Sequence, residues 1–221
     1  MITRGAWLSA AAMMVACGGK GDTADTASTS VGGVMASGTI TAEDGSYADV
    51  NIVKAFAFAS AGTGLVYAAS GEGATCETVA EYLDFDTAEY DPTDLWPAET
   101  CNLFLRFSYD DAAGWDGLVI AGDDPLNPWV ITCAMDAGSW EYGESNGFFD
   151  YYYTGRYFQG GPEDGTATFS GTGESMSVAL SFSSYLGGFT YELMENVNAS
   201  GTVSGTVVTE WCTDLGSTGW L

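Results

Sequence analysis

Histidine is absent from the 221-residue chain, and only five lysines and arginines face thirty aspartates and glutamates. The missing imidazole excludes Ser-His-Asp and Cys-His catalysis and the HExxH zinc helix. The shortage of basic residues leaves no positive patch for a phosphate backbone, so nucleic acid is not a partner. No CxxC spacing occurs among the five cysteines, which removes the usual zinc and iron ligand sets. Long apolar runs are missing too: the longest N-terminal one, Gly5 to Val15, is too short to span a bilayer.

What is present starts with that short run. Arg4 precedes it, Val15-Ala16-Cys17 closes it, and Gly18-Gly19-Lys20-Gly21 follows, the layout of an export signal ending at Cys17. Val15-Ala16-Cys17 resembles the lipobox of bacterial lipoproteins, with Met14 where Leu is usual. The resemblance implies that residues 1–16 are removed and that the Cys17 sulfur carries a diacylglyceryl group. Gly18 after the cysteine resembles outer-membrane sorting. Ordinary secretion with cleavage after Gly18 is the alternative, since Ala16 and Gly18 are both small. Residues 17–26 also resemble the starts of lipoproteins of myxobacteria and their relatives, over residues 1–31 alone and with no activity attached.

Gly18 to Ser30 has no aromatic or large aliphatic side chain and cannot bury anything, so residues 17–31 read as a lipidated tether. Its thirteen residues reach an r.m.s. span of roughly 20 Å. Residues 32–221 then form one acidic domain of ordinary size.

Within it, apolar residues recur at period two. Met176, Val178, Leu180 and Phe182 alternate with Ser177, Ala179, Ser181 and Ser183, and Leu103, Leu105, Phe107 and Tyr109 recur at the same period. Ile52, Phe56 and Phe58 around Lys54, and Val203, Val207 and Trp211, extend the pattern. Gly62-Thr63-Gly64, Gly171-Thr172-Gly173, Gly187-Gly188 and Asn198 to Gly201 read as hairpin turns. One short helix is expected from Cys76 to Leu83, with Thr75 as cap. The expected fold is all-β: an antiparallel sandwich or barrel-like sheet of roughly eight to ten strands.

After Cys17 there remain Cys76, Cys101, Cys133 and Cys212, an even number that in an exported chain predicts two disulfides. Three pairings are open. The expected one is Cys76 with Cys101 and Cys133 with Cys212, for which loop-closure arithmetic gives about 3.5 and 4.5 kcal/mol.

Acidity concentrates between Glu72 and Glu144, where seventeen carboxylates face Arg106 alone. Such a surface attracts cations or basic partners. Asp84 and Asp86 open the densest cluster with an Asp-x-Asp step, but Ala88 and Glu89 stand where an EF-hand loop needs an oxygen ligand and glycine. Asp110, Asp111 and the Asp123-Asp124 pair are further oxygen donors in expected loops. Calcium is thus a possible cofactor without a linear signature, and each cluster also fits a plain solvated turn.

Phe148 to Phe158 carries aromatics at both strand phases: Tyr151, Tyr152 and Tyr153, with Arg156 close by. A strand packed on both sides explains that pattern, and so does a contact surface of flat rings with polar tips, suited to sugar rings or a protein partner. Trp115, with Trp96, Trp129 and Trp140, falls in loop-rich stretches and could extend it. Three functional readings follow: a lipid-anchored envelope protein with a binding or interaction domain, a structural envelope lipoprotein without a ligand, and a carboxylate-dependent glycan hydrolase. With twenty-eight carboxylates in the domain, chance alone supplies a pair at glycosidase spacing, so the chain reads as a non-enzyme.

Overall fold

A computed structural model describes residues 34–84, 95–135, 139–145, 148–189 and 196–219. Residues Gly32–Leu221 form one compact unit. The described strands are β1 (Ala36–Ala42), β2 (Tyr47–Ile52), β3 (Lys54–Ser60), β4 (Thr63–Ala69), β5 (Cys101–Ser108), β6 (Val119–Ala121), β7 (Trp129–Met135), β8 (Trp140–Ser145), β9 (Phe148–Tyr153), β10 (Arg156–Ser170), β11 (Ser177–Phe189), β12 (Asn196–Val208) and β13 (Glu210–Trp211). One α-helix, α1 (Cys76–Leu83), and a 3-10 turn at Thr213–Ser217 accompany them. The all-β expectation with one short helix is what the chain adopts, with more strands than anticipated.

The main sheet runs β13-β3-β4-β5-β7-β10-β11-β12-β1-β2, with β6 added beside β10, while β8 and β9 pair separately. All pairings between these strands are antiparallel except β13 on β3. Strands β2 and β3 lie at opposite ends of this order, yet Val53 alone joins Ile52 to Lys54. One residue spans at most about 7 Å, so the sheet has to curl until the end of β2 comes back beside the start of β3. It does, as a curled half-barrel. Asp49 N–H, on β2, donates to Glu99 O at 3.0 Å, just before β5.

Glycines permit the curl. A Cβ on Gly38 would lie 2.0 Å from Thr202 O, and one on Gly201 2.1 Å from Thr39 O, so the β1 and β12 backbones approach where only glycine fits. Sequence reading places turns at Gly187-Gly188 and at Asn198 to Gly201. Both lie instead inside the long strands β11 and β12, which pair along their whole length. The turn at Gly62 (φ 81°) is as expected.

Two apolar clusters result. The concave side encloses Ile40, Val50, Leu103, Leu105, Phe107, Ile131, Phe158, Phe169, Val178 and their neighbours. On the convex side of β3, β4, β5 and β7, a second cluster of Phe56, Leu65, Tyr67, Phe104, Val79, Leu95 and Trp96 lies beneath α1 and the 3-10 turn. Strands β4 and β5 are therefore buried on both faces, which is why their sequences carry apolar runs rather than clean alternation. Thr75 caps α1, its hydroxyl accepting from Thr78 N–H at 3.2 Å. No described helix is long and apolar enough to cross a membrane.

Candidate functional site

Both disulfides form, but between other partners than expected. Cys101 stands directly opposite Cys133 in the β5–β7 register, with 4.1 Å between Cα atoms, and Cys76 joins Cys212. The reason is topological: β5 and β7 become neighbours because β6 leaves to pair with β10. The parallel step of β13 on β3 carries Cys212 to the convex side, where α1 presents Cys76. Chain-entropy estimates for these loops are about 3.7 and 5.0 kcal/mol.

The aromatic candidates separate. Trp115 is buried, stacked on Trp211 at 5.9 Å and edge-on to Tyr109 at 5.4 Å. Trp96 and Trp129 are also buried, Trp96 Nε1 donating to Thr100 O at 3.0 Å. These three indoles are core residues and cannot extend an exposed platform. Tyr151, Tyr152 and Tyr153 belong to β9, whose register with β8 sets Trp140 opposite Tyr153 and Tyr142 opposite Tyr151. The side chains of those tyrosines lie outside the described residues, as does that of Trp140. Thr154 and Gly155 break the aromatic segment, so it forms two strands and not one. Arg156, at the start of β10, forms an ion pair with Asp44, and its Nη1 donates to Ser46 Oγ at 3.2 Å. It fastens the base of the β8–β9 ribbon to the β1–β2 turn.

The carboxylate candidates serve their own loops. Asp84 is the C-cap residue of α1, and Asp86 lies outside the described residues. Asp110 Oδ1 accepts from Ala112 N–H at 2.9 Å, the geometry of an Asx-turn, while Asp111 is exposed beside it. Asp124 binds Leu126 N–H and Asn127 Nδ2 in the same local way. Among the described residues no three Cys, Asp or Glu side chains converge.

Sequence reading missed the surface that the sheet does expose. Tyr47 and Tyr185 are 55% and 45% exposed, and they are the exposed aromatic side chains among the described residues. Tyr185 stands opposite Ser200, Ser200 opposite Thr41, and Thr41 opposite Tyr47, so all four share one row across β11, β12, β1 and β2. One row along lie Ser183, Thr202, Thr39 and Asp49, and beyond the other side Gly187 and Asn198. Thr41, Glu43, Tyr185, Asn198 and Ser200 line a shallow depression there, in which Asn198 Nδ2 donates to Glu43 Oε1 at 3.2 Å. A signal was available: each tyrosine falls on the phase opposite the apolar one, which is Ala48, Val50 and Ile52 in β2 and Val178, Leu180, Phe182 and Leu186, interrupted by Ser184, in β11. An aromatic ring on that opposite phase faces water.

Fold and surface together define a disulfide-bonded, acidic β half-barrel with a hydroxyl-rich outer face on β11, β12, β1 and β2. No protein-family model matches the chain, and neither the curated proteins nor the solved structures contain a match.

Proposed function

We propose that this chain is a lipid-anchored cell-envelope protein whose β half-barrel works as a binding module, held off the membrane by the residue 17–31 tether. The anchoring half is supported by the export-signal layout ending at Val15-Ala16-Cys17. The observation that carries the binding half is the convex face of β11, β12, β1 and β2, where two exposed tyrosines share a row of hydroxyl side chains. A structural coat protein gains nothing from exposed rings, which add apolar area to water; a binding module uses them as anchors.

Two measurements test the reading. An alkyne fatty acid fed to expressing cells should label the wild-type chain and leave Cys17→Ala unlabelled. A wild-type chain that is unlabelled and begins after Gly18 would overturn anchoring. Purified protein added to cells lacking it should associate with their surface saturably; purely linear, non-saturable association would leave the structural reading in place instead.

A further inference from the structure

We propose that the row from Tyr185 to Tyr47 is a docking strip for a neutral polysaccharide chain. The inference rests on the binding-module reading and names its ligand class.

Three inter-strand steps separate the two tyrosines, so their backbone positions stand roughly 14 Å apart, within the reach of a short oligosaccharide lying across the strands. A pyranose ring offers a C–H face and a rim of hydroxyls. The negative face of an aromatic ring attracts the former. The latter need groups that both donate and accept, and between the tyrosines stand Ser200 and Thr41, flanked by Ser183 and Thr202, while Thr39 already donates to Asp49 Oδ1 at 3.2 Å and offers acceptors only. Glu43 adds acceptors and Asn198 an amide, already aligned by their mutual hydrogen bond of 3.2 Å. Beside Tyr185, Gly187 leaves open space, with no atom of the described residues within 4 Å of where a Cβ would sit, so a sugar ring can lie against the tyrosine.

Charge and polarity choose among ligands. Between the two tyrosines the row holds no aliphatic side chain, so it lacks the apolar centre of a protein interface. A formal charge of −25 repels uronate, sulfate or phosphate groups. The nearest placed cation, Arg156, is held by Asp44 and by Ser46. A neutral glycan meets neither obstacle.

Affinity electrophoresis of the full chain in mild detergent decides, with gels containing mixed-linkage β-glucan, xyloglucan, galactomannan or dextran, and polygalacturonate as the anionic comparison. At least one neutral polysaccharide should retard the wild-type chain, and polygalacturonate should not. Tyr47→Ala and Tyr185→Ala should each weaken retardation about ten-fold, the effect of removing one well-packed aromatic anchor. Tyr185→Trp should keep it. Both alanine variants replace exposed rings and should melt with the wild type. No retardation by any neutral gel overturns the inference, and so does retardation that survives in the Tyr47→Ala/Tyr185→Ala double variant. If the double variant binds and Tyr151→Ala/Tyr153→Ala does not, the site belongs to the β8–β9 ribbon and this assignment is wrong. Saturable binding to cells without retardation in any neutral gel would sink the glycan and leave the binding-module reading standing.

Discussion

Asn102 and Ser184 are both buried polar residues, and substitution should affect them in opposite ways. Asn102 Oδ1 accepts from Ser70 N–H at 2.9 Å and its Nδ2 donates to Tyr67 OH at 2.9 Å, while Ser70 Oγ donates to Cys101 O. Removing the amide strands partners that water cannot reach. Asn102→Ala should therefore cost about 2 to 3 kcal/mol. Ser184 is 1% exposed and its Oγ has no hydrogen-bond partner among the described residues. Its desolvation is unrecompensed in the native state, so Ser184→Ala should leave stability within about 0.5 kcal/mol of wild type or raise it. Urea midpoints at unchanged m-value measure both. A loss at Ser184 as large as at Asn102 would mean that the hydroxyl has a partner, such as a buried water.

Among the elements, α1 depends most on covalent support. It has eight residues, too few to persist alone, and it covers the second core cluster through Val79 and Leu83. Cys76, its first residue, is tied to Cys212 across 136 positions. Peptide mapping without reductant should return Cys76–Cys212 and Cys101–Cys133. Cys76→Ser/Cys212→Ser should cost about 2 to 5 kcal/mol and should speed amide exchange in residues 76–83 ahead of β5. Equal loss of protection in both would show that the bridge supports the whole fold and not the helix alone.

These elements also show where sequence is readable. Helix α1 and the burial phase of β11 are legible because each depends on side chains a few positions apart, and an apolar phase has one way to face a core. Strand β5 reads as alternating from Leu103, Leu105 and Phe107, yet Asn102 and Phe104 in its other phase are buried too, because a second cluster covers that face. Cysteine pairing is not legible. It depends on which strands become neighbours, and nothing near Cys101 records that β6 leaves the β5–β7 pair. The glycines of β11 and β12 mislead for a related reason: the same residue that permits a turn permits close approach in a curled sheet, and only the partner strand distinguishes them. Tyr47 and Tyr185 were readable one at a time from their phase. Their common row was not, since it requires the register of four strands.

Across the whole molecule, charge is the dominant quantity. Twenty-eight carboxylates against Lys54, Arg106 and Arg156 leave the domain strongly self-repelling, with a single ion pair, Arg156–Asp44, among the described residues. At low ionic strength the Debye length is roughly 30 Å, and at 0.15 M it is about 8 Å. Melting temperature should therefore rise from dilute buffer to 0.15 M sodium chloride. Because no three described acidic or cysteine side chains converge, millimolar calcium should add no more than monovalent salt of equal ionic strength. A larger, saturable calcium shift abolished by Asp110→Ala/Asp111→Ala would locate a site in that turn. A melting point indifferent to sodium chloride would contradict the repulsion itself.

The position of β1 has a mechanical consequence. The chain enters the described structure at Val34 and passes directly into β1, which is laddered to β12 on one side and β2 on the other. Thr41, in the middle of the tyrosine row, belongs to the same strand. Tension between a membrane anchor and a ligand held on that row would run along β1 and pass sideways into its two neighbours, loading both ladders in shear so that their hydrogen bonds resist together instead of peeling apart in turn. The helix and both disulfides lie off that line of force, so the pull would meet the first core only along the inward face of β1, at Ala36, Ile40 and Ala42, and would not pass through the second cluster beneath α1.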